Sequence, residues 1–118
     1  MAEETRYKDI FAHLQDNGVE VYSPAQKTGE CTSPYVVLKG GGTTQYQQFS
    51  TVQDMYELLC YVPQATYSQL DIFVARVELL MKELAPMIRP SHYRTPPYYD
   101  DFVKAYMTSI QYYNFRKL

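Results

Sequence analysis

Two adjacent carboxylates are the first residues of this chain that could do chemistry. Asp100 and Asp101 directly follow Tyr98 and Tyr99, and paired acids can bind a divalent cation or perform acid–base work. Neighbouring residues of a strand point to opposite faces, so the two carboxylates converge only if the chain turns there. Otherwise they are solvated acids that blunt a sheet edge. We therefore name this pair as the place for a cation if one binds, and we predict no cofactor.

The other reactive groups lack partners at a useful spacing. His13 and His92 are the only imidazoles, and neither stands near a recognisable set of metal ligands or a nucleophile. The run Gly40-Gly41-Gly42 precedes neither Lys-Ser nor Lys-Thr, which argues against a phosphate-binding loop. Cys31 and Cys60 are too few for a disulfide framework, and we expect both to be free thiols. The sequence thus predicts a protein that is not an enzyme.

Size and charge restrict the class of partner. The 118 residues fit one domain spanning residues 1–118, and the formal net charge is -2. Acids and bases alternate without a large field of one sign, so we expect no direct nucleic-acid readout. No apolar run reaches the ~20 residues of a membrane span, which predicts a cytosolic protein without membrane contact. Thirteen tyrosines and no tryptophan suit a sheet or a protein contact surface.

The middle of the chain predicts a strand followed by a helix. Residues 54–62 alternate in hydrophobicity as a strand does, and Pro63 ends them. Ser68 and Asp71 are spaced to satisfy the first turn of a helix, and Pro86 is expected to end it. The apolar residues between them recur every three or four positions, and we expect all of them in the core: Leu70, Phe73, Val74, Val77, Leu80, Met81 and Leu84.

The N-terminal part predicts a helix, a short strand and a hairpin. Thr5–Asp16 carries one apolar stripe and stops at Asn17-Gly18. Val19–Tyr22 is expected to be a strand, and the polar stretch after it an exposed loop. Tyr35–Leu38 and Thr43–Phe49 are predicted to form a hairpin that turns at the three glycines, since glycine tolerates positive φ.

The C-terminal part predicts a loop and a strand. Ile88–Asp101 contains three prolines and is expected to be a long irregular connection. Val103–Phe115 fits a helical stripe and a strand face equally well, and its aromatic and β-branched content favours the strand. We expect Asn114–Leu118 to be a frayed tail. The resulting order α-β-β-β-β-α-β predicts an α+β fold: an antiparallel or mixed sheet of about four to five strands with two helices on one face.

The chain resembles the tail terminator, or tail-completion, proteins of bacteriophages and prophages with long non-contractile tails. The resemblance extends over nearly the whole chain and rests on structural motifs. They are Glu30-Cys31-Thr32-Ser33-Pro34-Tyr35-Val36-Val37-Leu38-Lys39, Tyr61-Val62-Pro63 with Tyr67-Ser68-Gln69-Leu70, Met87-Ile88-Arg89-Pro90, and Tyr99-Asp100-Asp101 before Ala105-Tyr106-Met107. A tail terminator is a virion assembly protein that forms a ring of six copies on the tail tube.

The resemblance implies partners and a location. The ring would stop tube polymerisation, contact the major tail tube protein on one side and offer a head-tail joining surface to the connector on the other. The protein would then lie at the head-proximal end of the virion tail, and in the host cytoplasm during assembly. Our interface candidates lie in three loops: Lys27, Glu30, Gly41, Gln45, Tyr46, Tyr98, Tyr99, Asp100 and Asp101. Alternatives are a head-completion or neck connector protein and, from another class, a small enzyme or ligand-binding domain.

Overall fold

Within residues 5–45 and 51–117, which the computed structural model describes, six strands form one mixed sheet and two helices cover one of its faces. The α+β fold is therefore confirmed. The elements are α1 (Tyr7–Asp16), β1 (Val21–Tyr22), β2 (Tyr35–Gln45), β3 (Thr51–Pro63), a 3-10 helix (Gln64–Gln69), α2 (Leu70–Lys82), β4 (Arg89–Arg94), β5 (Tyr98–Asp100) and β6 (Ala105–Lys117). The strand order is β1-β2-β3-β6-β4, and β5 also pairs with β6.

The sheet is mixed because of one pair of strands. β1 runs parallel to β2, whereas β2–β3, β3–β6, β4–β6 and β5–β6 are antiparallel. β3 and β6 pair over all thirteen residues of each strand, a length of roughly 43 Å at ~3.3 Å per residue. The molecule measures 48 × 25 × 24 Å. Its long axis therefore follows these strands.

Alternation along β3 separates the two faces of the sheet, as its sequence predicts. Each second residue from Val52 to Val62 is buried, and the residues between them are partly exposed. The buried set faces the helices and packs with Ile10 and Leu14 of α1. The other side of the sheet, away from the helices, is called the open face below.

Helix α2 contributes the largest part of the core that lies over the sheet. Leu70, Phe73, Val74, Val77 and Met81 are buried as predicted, but Leu80 and Leu84 pack only partly against the core. Leu80 therefore lies at the margin of the buried face of α2, and Leu84 follows the end of the helix at Lys82. The start of the helix also differs, because Ser68 lies inside the 3-10 helix and α2 begins at Leu70.

Helix α1 occupies the predicted region and is fastened to the sheet by polar contacts. The Tyr7 hydroxyl donates to the backbone carbonyl of Leu38 at 2.8 Å, and the backbone N–H of Arg6 donates to the Tyr56 hydroxyl at 2.9 Å. Both contacts cross from the start of α1 to the central strands. Neither of the two described helices is long and apolar enough to cross a membrane.

The predicted hairpin at the three glycines is wrong. β2 continues through them to Gln45 and pairs with β3 on both sides, with a bulge between Gly40 and Thr43. Gly42 has φ +97, a conformation that L side chains rarely adopt, and a Cβ on Gly41 would lie 3.0 Å from Met55 Cβ. The glycines therefore kink a long strand and admit close packing. The rest of the predicted second strand, from Tyr46 to Phe49, lies outside the described residues.

The predicted irregular connection contains two short strands instead. β4 and β5 both pair with β6, so Ile88–Asp101 supplies an edge of the sheet. β4 is irregular between Pro90 and Arg94, where His92 has φ 63. An edge strand tolerates proline because one side of its backbone needs no ladder hydrogen bond. The prolines exclude helix here, but they do not exclude pairing.

The C-terminal segment is a strand, as its composition predicts. β6 lies between β3 and β4 and extends to Lys117, so the expected frayed tail from Asn114 onward is wrong for residues 114–117. Pairing with Thr51–Asp54 of β3 accounts for this order. The helical alternative for this segment is excluded.

A buried ion pair joins the three long strands near their far end. Arg116 Nε donates to Asp54 Oδ2 at 2.6 Å, and the Thr43 hydroxyl donates to Asp54 Oδ1 at 2.6 Å. The side chain of Asp54 is only 3% exposed. These three residues, on β2, β3 and β6, are called the Asp54 cluster below.

Candidate functional site

The open face carries a shallow cleft of about 550 Å³ across the central strands. Leu59, Tyr61 and Met107 form its apolar floor, and the segment from Pro96 to Tyr98 forms one wall. Lys39 and Glu57 are directly opposed on β2 and β3 at its edge. Opposite charges at this spacing attract each other. The cleft is thus mainly an apolar surface with one charge of each sign at its edge.

A second cleft of about 320 Å³ continues the first along the strands. It shares Lys39 and Glu57 with the larger cleft and extends past Gly41 to Met55. Because these glycines lack side chains, the surface stays low beside β3. The two clefts together form one groove that follows the long axis of the molecule.

Stacked tyrosines attach the Ser23–Ser33 loop to the open face. The rings of Tyr35 and Tyr61 lie 4.9 Å apart and nearly parallel, and Tyr22 meets Tyr35 edge-on at 5.7 Å. Lys27 Nζ lies 5.5 Å from the Tyr22 ring and 5.7 Å from the Tyr35 ring. An ammonium over aromatic faces is attracted by their quadrupoles. Lys27, an interface candidate, is therefore held against the sheet.

The phenol groups around this stack favour the protonated form. Burial raises the pKa of Tyr61 to about 12, and the nearby negative charge of Asp100 adds to the shift. Burial likewise raises the pKa values of Tyr35 and Tyr98, again with a contribution from Asp100. At neutral pH these groups are neutral hydroxyls, which suits contact with another surface.

The two thiols are also kept protonated by burial. Cys60 is completely buried in the core, and desolvation raises its pKa to about 12. Burial raises the pKa of Cys31 as well, partly offset by its hydrogen bond to the Ser33 carbonyl. A thiol is a poor nucleophile because the thiolate is the reactive form. Both cysteines are free, as predicted.

The acidic pair does not converge on one point. Asp100 ends β5, and its Oδ1 accepts a hydrogen bond from the Phe102 backbone N–H at 3.0 Å. Asp101 lies in the following turn and forms an ion pair with Lys104 at 2.8 Å. Among the residues that the structure describes, no group of three or more His, Cys, Asp or Glu side chains is arranged to hold a metal ion.

The histidines occupy different surroundings. His13 Nε2 lies 2.8 Å from the Leu80 carbonyl oxygen and 3.1 Å from Glu83 Oε1, so its ring links α1 to the end of α2. His92 is exposed on β4. The structure thus gives His13 a packing role.

Five of the nine predicted interface residues fall into two groups, three lie apart from them, and one lies outside the described residues. Lys27, Tyr98 and Asp100 surround the Tyr35–Tyr61 stack. Glu30 lies near Lys104 at the end of the molecule, where Asp101 also lies. The remaining candidates are separate from these: Tyr99 faces the helices and donates to Gln64, Gly41 and the backbone of Gln45 lie along β2, and Tyr46 is outside the described residues.

Leu59, Tyr61 and Met107 form the open-face floor but were not among the predicted interface residues. The signal for them was present in β3, where Met55, Leu59 and Tyr61 are apolar on the side opposite the core stripe. A strand with apolar residues on both faces is covered on both faces or contacts another molecule. Phe102, which lies between the predicted loop and the predicted strand, was also not among the candidates.

Comparison with known proteins adds no relative. No protein-family model matches the chain, and no curated protein matches it.

Alkaline pH should destabilise the fold through its buried tyrosines. Unfolded tyrosine loses its proton near pH 10, whereas native Tyr61 retains it to about pH 12. The native state therefore binds more protons in this window, so stability is complete below about pH 10 and falls as the pH rises through about 12. We expect Tyr61→Phe to reduce this loss, measured as the urea midpoint between pH 9 and pH 12.

Tyr93→Phe is the matched control for the alkaline experiment. Tyr93 is 54% exposed on β4, and we expect its replacement to leave the alkaline slope unchanged. An identical slope for wild type and Tyr61→Phe would contradict the assignment of Tyr61.

Proposed function

We propose that this protein is a structural subunit that forms a ring on the end of a phage tail tube, ends tube polymerisation and presents the head-joining surface. The observation that carries the proposal is the groove on the open face, which follows the long axis and has an apolar and tyrosine-bearing floor with polar and charged residues along its edges. Aromatic residues and methionine are enriched in protein interfaces. An elongated subunit with such a face is suited to lateral and axial contacts.

The sheet edges support the same proposal. β1 pairs with only Val36 and Val37 of β2, although β2 continues to Gln45. The outer edge of β2 beyond Val37 has no strand beside it in the described residues, and such edges are templates for pairing. The resemblance to tail terminators supplies the specific assembly. It implies a hexameric ring between the tail tube protein and the head connector protein.

The decisive experiment mixes the protein with purified tail tubes and images their ends by electron microscopy. We expect density at one end and no further growth when tube subunits are added. Binding to the head connector with no effect on tube growth would instead favour a neck protein. Failure to bind either partner would overturn the proposal.

A pair of glutamate variants tests the surface itself. Leu59→Glu places a carboxylate on the floor of the open-face cleft, and we expect it to abolish binding to tube ends because a charge is desolvated there without a partner. Leu79→Glu is the control, since Leu79 is 65% exposed on α2. It should bind tubes like wild type, and circular dichroism should show both variants folded. Equal binding by both would remove the open face from the interface.

The neighbouring genes provide an independent test. A tail tube gene immediately downstream would support the proposal, whereas a run of metabolic genes would contradict it.

A further inference from the structure

Phe102 is presented to solvent on a firmly held turn. Its side chain is 94% exposed, more than any other large apolar side chain in the described part of the chain. The Asp101–Lys104 ion pair at 2.8 Å and the bond from the Phe102 N–H to Asp100 close the turn. A single exposed apolar residue is ordinary, but this ring projects from a fixed base.

The base of the turn is bonded to the body of the protein on two sides. The Cys31 backbone N–H donates to the Val103 carbonyl at 2.7 Å, and the Gln64 N–H donates to the Lys104 carbonyl at 3.1 Å. Holding the turn in place lowers the entropy lost when the ring enters a partner. Phe102 is therefore preorganised as an anchor.

An apolar cleft of about 380 Å³ lies beside the same end of the molecule. Pro34, Pro63, Ile72 and Phe73 line it, between the start of α2 and the segment that leads into β2. Ile72 is 63% exposed. This α2–Pro34 cleft is of the size that takes a buried aromatic side chain with room at its rim.

The charges around the two features are complementary. Glu30, Asp100 and Asp101 lie near the Phe102 turn, together with two cations, Lys104 and, beside the Tyr35 ring, Lys27. The residues that line the α2–Pro34 cleft include Arg76 but no acid. Arg76 is thus the charged residue of the cleft lining, and although its Nη2 donates to the Asn17 carbonyl at 3.0 Å, its positive charge attracts the acids of the turn when two copies meet.

Their position favours a closed ring. Pro63 lines the cleft, and the next residue, Gln64, bonds the turn, so both features lie at one end of the 48 Å long axis. A second copy that is rotated about an axis parallel to this long axis therefore has its cleft at the same height as the Phe102 turn of the first copy. Such a heterologous contact repeats from copy to copy around the axis. The ring closes when a whole number of copies completes one full turn.

We propose that Phe102 of one copy inserts into the α2–Pro34 cleft of the next copy and so links the subunits of the ring. The inference rests on the proposed function for the existence of a ring, and it names the contact and the partner, a second copy of this chain. Ile72 and Phe73 receive the ring, while Arg76 faces the acidic residues of the turn.

The first experiment places a photoreactive group at the anchor. Full-length protein carrying Phe102→p-benzoylphenylalanine is mixed with isotope-labelled wild type at high concentration and irradiated. Mass spectrometry should find adducts between labelled and unlabelled copies on the peptide that contains Ile72 and Phe73. Because photocapture needs no stable oligomer, adducts elsewhere, or none between copies, would overturn the proposal.

The second experiment uses sedimentation velocity on two complementary variants. Phe102→Ser lacks the anchor and Ile72→Glu lacks the cleft, and each should weaken self-association by roughly 30-fold or more, the effect of losing a central aromatic anchor. An equimolar mixture still contains one intact anchor and one intact cleft. It should therefore form a one-to-one dimer and nothing larger.

Leu79→Glu and Tyr93→Ser are the matched controls, since both residues are exposed and lie outside the cleft and the turn. They should associate like wild type. Equal weakening by the controls, or a mixture that assembles beyond dimer, would contradict the anchor–cleft contact.

The two proposals fail in different ways. If Phe102→Ser still forms rings on tube ends, the anchor–cleft contact is wrong and the capping function stands. If wild type associates through Phe102 but leaves tube ends free, the contact stands and the capping function is wrong.

Discussion

Replacing Met81 by alanine is expected to lower the free energy of unfolding by about 2 to 5 kcal/mol. Met81 is completely buried in the helix-side core. The loss combines the transfer free energy of the removed atoms with the cavity they leave, because the long strands beneath α2 limit collapse. Urea unfolding followed by circular dichroism gives the value, with the slope as a check that the unfolded state is unchanged.

Leu80→Ala is the matched control, since it removes a side chain of similar size from the neighbouring position. Leu80 is only partly buried, so we expect a clearly smaller loss than for Met81. A larger loss for Leu80→Ala would show that α2 is rotated relative to the sheet.

Breaking the Asp54 cluster should lower the free energy of unfolding by a similar amount, in this case for an electrostatic reason. Arg116→Met leaves the Asp54 carboxylate, whose side chain is 3% exposed, with one fewer charged partner. Removing one member of a buried ion pair typically costs about 3 to 5 kcal/mol because the remaining charge is desolvated. The unfolding free energy in urea is again the measurement.

Two further variants separate burial from charge. The double variant Asp54→Leu with Arg116→Met removes both charges, and we expect it to be more stable than Arg116→Met alone. Arg94→Met breaks the Arg94–Asp71 pair, which has the same 2.6 Å distance but side chains 38% and 84% exposed, and should cost at most about 1 kcal/mol. Equal losses for Arg94→Met and Arg116→Met would contradict the role of burial.

The pattern of apolar residues predicted the strands and helices that have one clearly buried face. The alternation along β3 and the three-to-four spacing in α2 each give one buried face, and the α+β class follows from their order. The stripe of α2 misled at Leu80, which lies at the margin of the buried face, and at Leu84, which follows the end of the helix at Lys82. The spacing of apolar residues indicates which face of a helix is buried, but it does not indicate how far that buried face extends.

The errors have a common physical origin in pairing between distant strands. Three glycines favour a turn locally, but β3 offers Met55 as a close neighbour and keeps β2 extended past them. The single proline of β4 likewise disfavours regular structure, yet Arg89 and Pro90 pair with Tyr113 and Tyr112 of β6. Tertiary context overrides weak local preferences in strands.

The candidate site was predictable only in part. Lys27, Tyr98 and Asp100 lie around one aromatic stack as members of predicted contact loops. The cleft floor and the exposed position of Phe102 depend on the order of the strands in the sheet. No single segment of the sequence determines that order. The sequence therefore indicates the loops, whereas the groove is a property of the assembled sheet.

The position of β6 between β3 and β4 also has a consequence for biosynthesis. β3 pairs with β6 across sequence separations from 42 residues at Pro63–Ala105 to 66 at Thr51–Lys117. Until the ribosome has made Ala105–Lys117, β3 lacks one neighbour and β4 has no strand on which to pair. The emerging chain thus carries an open, apolar sheet edge that can aggregate. Folding is expected to be completed after translation of β6, and slowly, because distant pairing dominates this topology.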